Sequence, residues 1–544
     1  MKDLFGTVWR HPGHLIWIAA AYLPCLGLMS VPLTGDQKVY LSTAMEMRTH
    51  GSWLKPILFG ETSYFKPPFQ YWATLAGWEV FGFNLWGALL PSVLCVILTA
   101  WFLGEIASLL HEKKPFVNAG LWFAATLGAA TYGTVAQMEI YLCLFYAAAW
   151  WAGLKFLDAP LGKRRFSWLY LAFVVAGFSA LVKSPLYSVF WVSGYVLYLV
   201  VSGEWETFRS RHVYLACLLG VACGASWYGA VLTVDRDRFL TEYIQRETLQ
   251  KAGGNQGTWY SLWVALTYLC FPLTLFLIPT LKTIWKGKRS GALLRFAMCW
   301  ALPPALFFSF YPYRVKTYLF ILVPMIAVLV DWSYFRVGRT RFFRAMAVLT
   351  GLVMFLLLTA LAVVVFRAEL APEWVSAGLL LAGAFAVLCS AKDWMRGLAL
   401  TGLGAVLFFR IAAISMGEQD LSDLRRTVDM RPSAEIGFLD DKKNIWHEVG
   451  LISVALGKPV LRLENLDRVA DVIQKGGMVA LTDEQALDQV RLLEAKIMGR
   501  GDLRDLDVIP WHRWKPRMKF PIKELILEGK RGVPGFFDQT HRQF

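Results

Sequence analysis

The amino-acid sequence predicts an all-α polytopic membrane domain of about thirteen transmembrane helices, followed by a soluble α/β domain. Three observations predict it. The 544 residues are 56% hydrophobic and only 17% charged, against about a quarter charged in ordinary soluble domains. Apolar runs of the length that crosses a bilayer, about 20 residues, recur through the first three quarters of the chain. From about residue 417 the composition becomes that of a water-soluble segment. A mean hydropathy of +0.45 agrees with this division.

The runs fall at 14–33, 86–110, 117–136, 139–157, 167–182, 187–202, 213–233, 260–281, 293–310, 317–334, 344–366, 373–391 and 396–415. The first follows Lys2 and Arg10 and has no small-residue cleavage pattern, so it reads as an uncleaved anchor helix. Lys183-Ser184-Pro185 breaks the pair at 167–202.

Charge sets the orientation. With the N-terminus inside, the short loops at 111–115, 155–165, 204–212, 282–295, 334–344 and 391–396 are all rich in Lys or Arg, which is the cytoplasmic signature. The other face then receives a first outer loop at 34–85 carrying juxtamembrane helices, a charged loop at 235–257, the turn at 311–316 and everything after 416. The chain thus divides into a transmembrane domain, 1–416, and an extracytoplasmic α/β domain, 417–544. In the latter, 436–439, 459–463 and 478–482 read as short buried strands, and 465–477 and 484–499 as amphipathic helices. Alternation of that kind suggests a small, partly parallel sheet.

Several chemistries find no support. No glycine-rich phosphate loop is present, so nucleotide binding is not indicated. The eight cysteines lie in apolar runs without CxxC spacing and read as packing residues. The net charge of +15 belongs to the membrane-sorting bias and to anionic lipid ligands, and no nucleic-acid partner is expected.

The cations on the outer face have no sorting reason to be there. Lys66, Lys183, Arg246, Lys251, Arg314 and Lys316 all fall on it, with Asp36 and Glu139 as acids. Singly, each has a plain explanation: a loop acid, a helix-start acid, a snorkelling lysine, a solvated helix face. Collected on one face, they suit transfer of a sugar from a polyprenyl-phosphate carrier. A carboxylate orients or deprotonates the acceptor. Lys and Arg stabilise the charge developing on the lipid phosphate. A lipid-linked-sugar transporter, which breaks no bond, is the alternative of a different class; the charge-poor span interiors speak against it.

The residues also form an ordered pattern. Asp36, Ala44-x-Glu46-Met47, Gly51-x-Trp53-x-x-Pro56, Tyr64-x-Lys66-Pro67-Pro68, Tyr71-Trp72 and Phe81-Gly82 resemble the first outer loop of the GT-C superfamily of lipid-linked-sugar glycosyltransferases. The similarity is to the group holding the lipid A aminoarabinose transferases and the protein O-mannosyltransferases. It continues through Lys183-Ser184-Pro185, Trp227-Tyr228, Arg246-Glu247 and Arg314-x-x-Thr317-Tyr318.

The resemblance implies an inverting transferase acting outside the inner membrane on an undecaprenyl-phosphate sugar. It casts Asp36 as the catalytic acid and Glu139 as the second acid, where the family often has Asp. Lys66, Arg246, Lys251, Arg314 and Lys183 would hold the donor phosphate, and Tyr64, Glu46 and Tyr318 would line the substrate. Lipid A or another envelope glycolipid is the first acceptor, a protein hydroxyl the second. The chain is expected to act as a monomer among membrane lipids. Two departures stand out: Gln37 replaces an acid next to Asp36, leaving a divalent metal open, and Thr248 stands where a histidine commonly follows Arg-Glu.

Overall fold

A computed structural model describes residues 12–27, 35–58, 60–110, 118–160, 162, 165–250, 253, 257–258, 260–286, 291–337, 340–367, 373–391 and 397–405. Beyond these it describes 436–439, 460–463, 478–480 and positions 468 and 472. The chain divides into two compact units. One comprises Met1–Leu28, Ser63–Val363 and Trp374–Ile411; the other comprises Met29–Thr62, Val364–Glu373 and Ala412–Phe544.

The first unit is helical. In chain order it contains α1 (Pro12–Gly27), α3 (Phe69–Phe81), α4 (Leu85–Leu110), α5 (Asn118–Ala124), α6 (Leu127–Tyr132), α7 (Met138–Asp158), α8 (Arg165–Val182) and α9 (Pro185–Val201). It continues with α10 (Trp205–Arg209), α11 (Arg211–Val234), α12 (Arg236–Phe239) and a π-helix at Leu240–Gln250. After these come α13 (Ser261–Leu269), α14 (Leu277–Lys286), α15 (Gly291–Phe310), α16 (Val323–Val337), α17 (Arg341–Arg367) and α18 (Glu373–Ala391).

Among the described residues, six helices are long and apolar enough to cross a membrane: α4, α7, α8, α11, α15 and α17. The remaining expected runs are helical over most of their described residues, and those at 14–33 and 396–415 extend beyond the described residues. The run at 117–136 is split into α5 and α6, because Thr126 turns out of the helix and its hydroxyl accepts from Ala129 N–H at 3.2 Å, capping the second piece. The run at 260–281 is broken before a short 3-10 turn at Leu273–Phe276, and the two pieces meet at 105°. Hydropathy averaged over the run hides that corner.

Helix packing at the centre rests on small and aromatic residues. Added Cβ atoms at Gly177 and Gly220 would lie 2.4 Å from Gly220 O and 2.6 Å from Phe173 O, so α8 and α11 touch through backbone. Trp150 of α7 stacks on Trp300 of α15 at 5.7 Å and meets Trp191 and Tyr195 of α9 edge-on. The Tyr146 hydroxyl donates to Tyr187 O at 2.5 Å and joins α7 to α9. These contacts fix α7 against α9 and α15.

In the second unit, α2 (Gly35–Thr49) precedes an antiparallel hairpin of β1 (Ile57–Leu58) and β2 (Glu61–Thr62). Strands β3 (Ile436–Leu439), β4 (Val460–Leu463) and β5 (Met478–Ala480) form a parallel sheet in the order β4-β3-β5. Register pairs Ile436 with Val460 on one side and with Met478 on the other. The three strands lie where the sequence predicts them. The helices expected at 465–477 and 484–499 fall outside the described residues, save positions 468 and 472.

Candidate active site

Within the first unit, Glu139 and Lys183 come together. Gln137 is extended and α7 begins at Met138, which puts Glu139 in the first helical turn. Lys183 closes α8; Ser184 then caps α9, its hydroxyl accepting from Leu186 N–H at 3.3 Å, and Pro185 supplies the first helical residue. The break between α8 and α9 thereby fixes where the lysine leaves the backbone. Its Nζ lies 2.8 Å from Glu139 Oε1, with both side chains under 15% exposed.

Two rings bracket the ammonium. Lys183 Nζ is 5.2 Å from the ring centre of Tyr318 and 5.8 Å from that of Tyr187. Thr317, whose hydroxyl makes no hydrogen bond of good geometry, lies beside the Glu139 carboxylate. Lysine, glutamate, threonine and two tyrosines thus form one partly buried cluster at the ends of α7 and α8.

A second network surrounds Tyr64. Its hydroxyl donates to Asp235 Oδ2 at 3.0 Å and its backbone N–H to Glu242 Oε2 at 2.7 Å. Arg238 Nε donates to the other oxygen of Glu242 at 3.0 Å. The ring packs on Trp227 and Phe239. Burial first, and then the bond to Asp235, push the Tyr64 hydroxyl well above the usual tyrosine range. Tyr64 is therefore a neutral anchor between the segment before α3 and the segment after α11. After it, the buried Pro67 and Pro68 lead into Phe69, which meets Tyr141, Phe145 and Phe178 edge-on, so Lys66 is delivered by a rigid stem.

Arg314 is half-buried; its Nη1 donates to Gly257 O at 3.3 Å and Pro312 O at 3.4 Å, and its buried Nε makes no hydrogen bond. The side chains of Arg246 and Glu247, and all of Lys251, lie outside the described residues. In the second unit, Asp36 is exposed in the first turn of α2. Glu46 is buried, and its Oε2 accepts from Gly60 N–H at 2.7 Å, which holds the β1–β2 hairpin to α2.

Sequence reasoning did not foresee Asp235 and Glu242 as anchors of Tyr64, nor Tyr187 beside Lys183. Partners more than 170 residues apart leave no local pattern. The only signal was the density of charge in 235–242.

An apolar groove of about 650 Å³ runs between α8, α9, α11 and the start of the π-helix. Phe173, Val189, Val192, Val221 and Leu232 line it, and Pro185, two residues from Lys183, stands at its wall. The Tyr228 and Tyr243 hydroxyls that border it are 3.2 Å apart, and Tyr228 also donates to Ala180 O at 2.8 Å, so the two hydroxyls on this apolar wall are paired.

The arrangement can be compared with known proteins. A family profile described as dolichyl-phosphate-mannose-protein mannosyltransferase matches residues 65–228. The fold is that of ArnT from Cupriavidus metallidurans: the apo structure superposes with a TM-score of 0.71 over 88% of this chain and 94% of that one, at 17% identity.

The chain is similar in sequence to arabinosyl transferases and has the fold of ArnT.

A second ArnT structure from the same organism, bound to undecaprenyl phosphate, gives a TM-score of 0.68 at 16% identity, over 90% of this chain and 95% of that one. Among sequences, an undecaprenyl phosphate-alpha-4-amino-4-deoxy-L-arabinose arabinosyl transferase of Pseudomonas fluorescens (strain Pf0-1) is 27% identical over 350 residues. That stretch is 61% of this chain and 59% of the relative, so the match spans less than two thirds of the relative's length. The corresponding transferase of Pseudomonas savastanoi pv. phaseolicola is 27% identical over 411 residues, 72% of this chain and 73% of that one.

Proposed function

We propose that this protein is an inverting glycosyltransferase that moves a sugar from an undecaprenyl-phosphate donor to an acceptor outside the inner membrane. The observation that carries the reading is the apolar groove whose wall includes Pro185, two residues from the Lys183 cation. A hydrocarbon chain seated there would present its phosphate at the level where Lys183 emerges. The names of the sequence relatives and the ligand of one structural neighbour support the same donor.

In this reading thirteen spans place the N-terminus in the cytoplasm, with the site and the soluble α/β domain of 417–544 on the periplasmic face. The acceptor oxygen attacks the anomeric carbon opposite the lipid phosphate. The bond from that carbon to the phosphate oxygen breaks, its electron pair stays on the phosphate, and Asp36 takes or orients the acceptor proton. Lys183 and Arg314, with Lys66, Arg246 and Lys251, receive the developing phosphate charge. Lipid A or another envelope glycolipid is the acceptor. A protein hydroxyl is the second reading, supported by the description of the matching family profile. The protein works as a monomer.

Among the described residues, a divalent metal finds no fitting set of ligands. Among the described residues no three carboxylates, histidines or cysteines converge, Gln37 follows Asp36, and Glu139 is engaged by Lys183.

The test is transfer by purified protein in detergent, with radiolabelled undecaprenyl-phosphate sugars and total envelope lipid. Label moving to a new lipid, and a loss of about 100-fold or more in Asp36→Asn, is expected. Full turnover by Asp36→Asn at normal expression would overturn the mechanism.

A further inference from the structure

Glu139 stands where the family resemblance puts a second catalytic acid, yet its surroundings point elsewhere. One carboxylate oxygen is 2.8 Å from Lys183, and the pair is shielded, with side chains 11% and 14% exposed. Among the described residues, Glu139 meets the lysine ammonium from one side, and the rings of Tyr187 and Tyr318 lie against it. Ionisable groups at a membrane helix end cost free energy unless paired, and a pair in such a place is built for a purpose.

We infer that Glu139 is a positioning residue that neutralises Lys183, holding the ammonium in place while limiting how tightly it grips a lipid phosphate. The inference rests on the donor reading above. A bare, partly buried lysine would bind the phosphate of donor and product alike. Such uniform binding lowers KM without speeding the chemical step, and over-tight product retention slows turnover. A resident carboxylate competes for the same ammonium, so the phosphate must share the cation and the product can leave. Thr317 flanks the carboxylate.

The experiment is equilibrium binding of undecaprenyl phosphate to the full-length protein in detergent, read by intrinsic tryptophan fluorescence, beside steady-state transfer. Wild type, Glu139→Gln, Glu139→Asp, Lys183→Met and the double variant Glu139→Gln/Lys183→Met are compared. Glu139→Gln should tighten undecaprenyl phosphate binding about tenfold and lower kcat. Glu139→Asp, which keeps the charge, should return both toward wild type. In the Lys183→Met background the glutamine should add no tightening, because the effect runs through the lysine. The double variant carries neither charge and is expected to fold even if a single variant does not.

Loss of kcat in Glu139→Gln with undecaprenyl phosphate affinity unchanged would make Glu139 a catalytic acid and overturn the inference. Unchanged kcat and affinity, with only a lowered melting temperature, would reduce the pair to a structural clasp and overturn it equally. Absence of undecaprenyl phosphate binding in every variant, wild type included, would instead overturn the donor reading, and this inference with it.

Discussion

Tyr64 and Asp235 meet through a 3.0 Å hydrogen bond across 171 residues of chain, and the Tyr64 backbone is held by Glu242 in the same segment. The stem that delivers Lys66 is therefore fastened to the segment following α11. Removing the hydroxyl in Tyr64→Phe deletes a buried, charge-assisted bond, which costs about 1.5–3 kcal/mol. The expected outcome is a lower melting temperature in detergent and a higher KM for the lipid-linked donor.

The same tyrosine predicts a pH dependence. Its hydroxyl is pushed above the range of an unfolded tyrosine, which ionises near pH 10. Between the two values the unfolded chain has lost the proton and the folded one has kept it, so stability falls as pH rises above about 10. Melting temperatures measured from pH 9 to pH 11 should fall more steeply for wild type than for Tyr64→Phe. Parallel slopes would remove Tyr64 from the account.

Close backbone contact between α8 and α11 makes glycine position-specific. Gly177→Val would drive side-chain atoms into Gly220 O, which an added Cβ already approaches to 2.4 Å, and should destabilise by about 1–3 kcal/mol. Gly229, also on α11, has nothing within 4 Å of an added Cβ. There Gly229→Ala should leave the melting temperature unchanged or raise it slightly, as helix propensity favours alanine by about 1 kcal/mol. Equal losses at both sites would contradict the close packing.

The groove predicts a chain-length effect. Val192→Trp would fill it from the α9 side. KM should rise about tenfold for an undecaprenyl-phosphate sugar and stay near wild type for a donor with a truncated prenyl chain. A rise for both donors would mean that the substitution disturbs the phosphate end rather than the hydrocarbon seat.

Much of the membrane fold was legible because periodicity and punctuation are local. Pro185 after Ser184 marks a helix start, and the structure starts α9 there with Ser184 as its cap. Glu139 was legible as a first-turn acid, and the strands at 436–439, 460–463 and 478–480 as short apolar runs. The corner before Leu273 was not, because an apolar run with one bend has the hydropathy of a straight one. Glu46 shows the limit for sites. Its place in a motif suggests a substrate contact, and the motif gives no sign that one carboxylate oxygen accepts from the Gly60 N–H. Which cation a carboxylate meets depends on how helices pack in space, as with Glu139 and Lys183, 44 residues apart.

That last pair closes a ring. Helices α7 and α8 run antiparallel, joined at one end by the short connection after Asp158, and the ion pair ties their other ends. Sliding either helix by one turn moves its side chains by about 5.4 Å and separates the two charges. The clasp therefore works as a vernier for the hairpin. Only one alignment of the two helices lets it shut, and that alignment is checked by the same ammonium that faces the lipid phosphate in the proposed reaction.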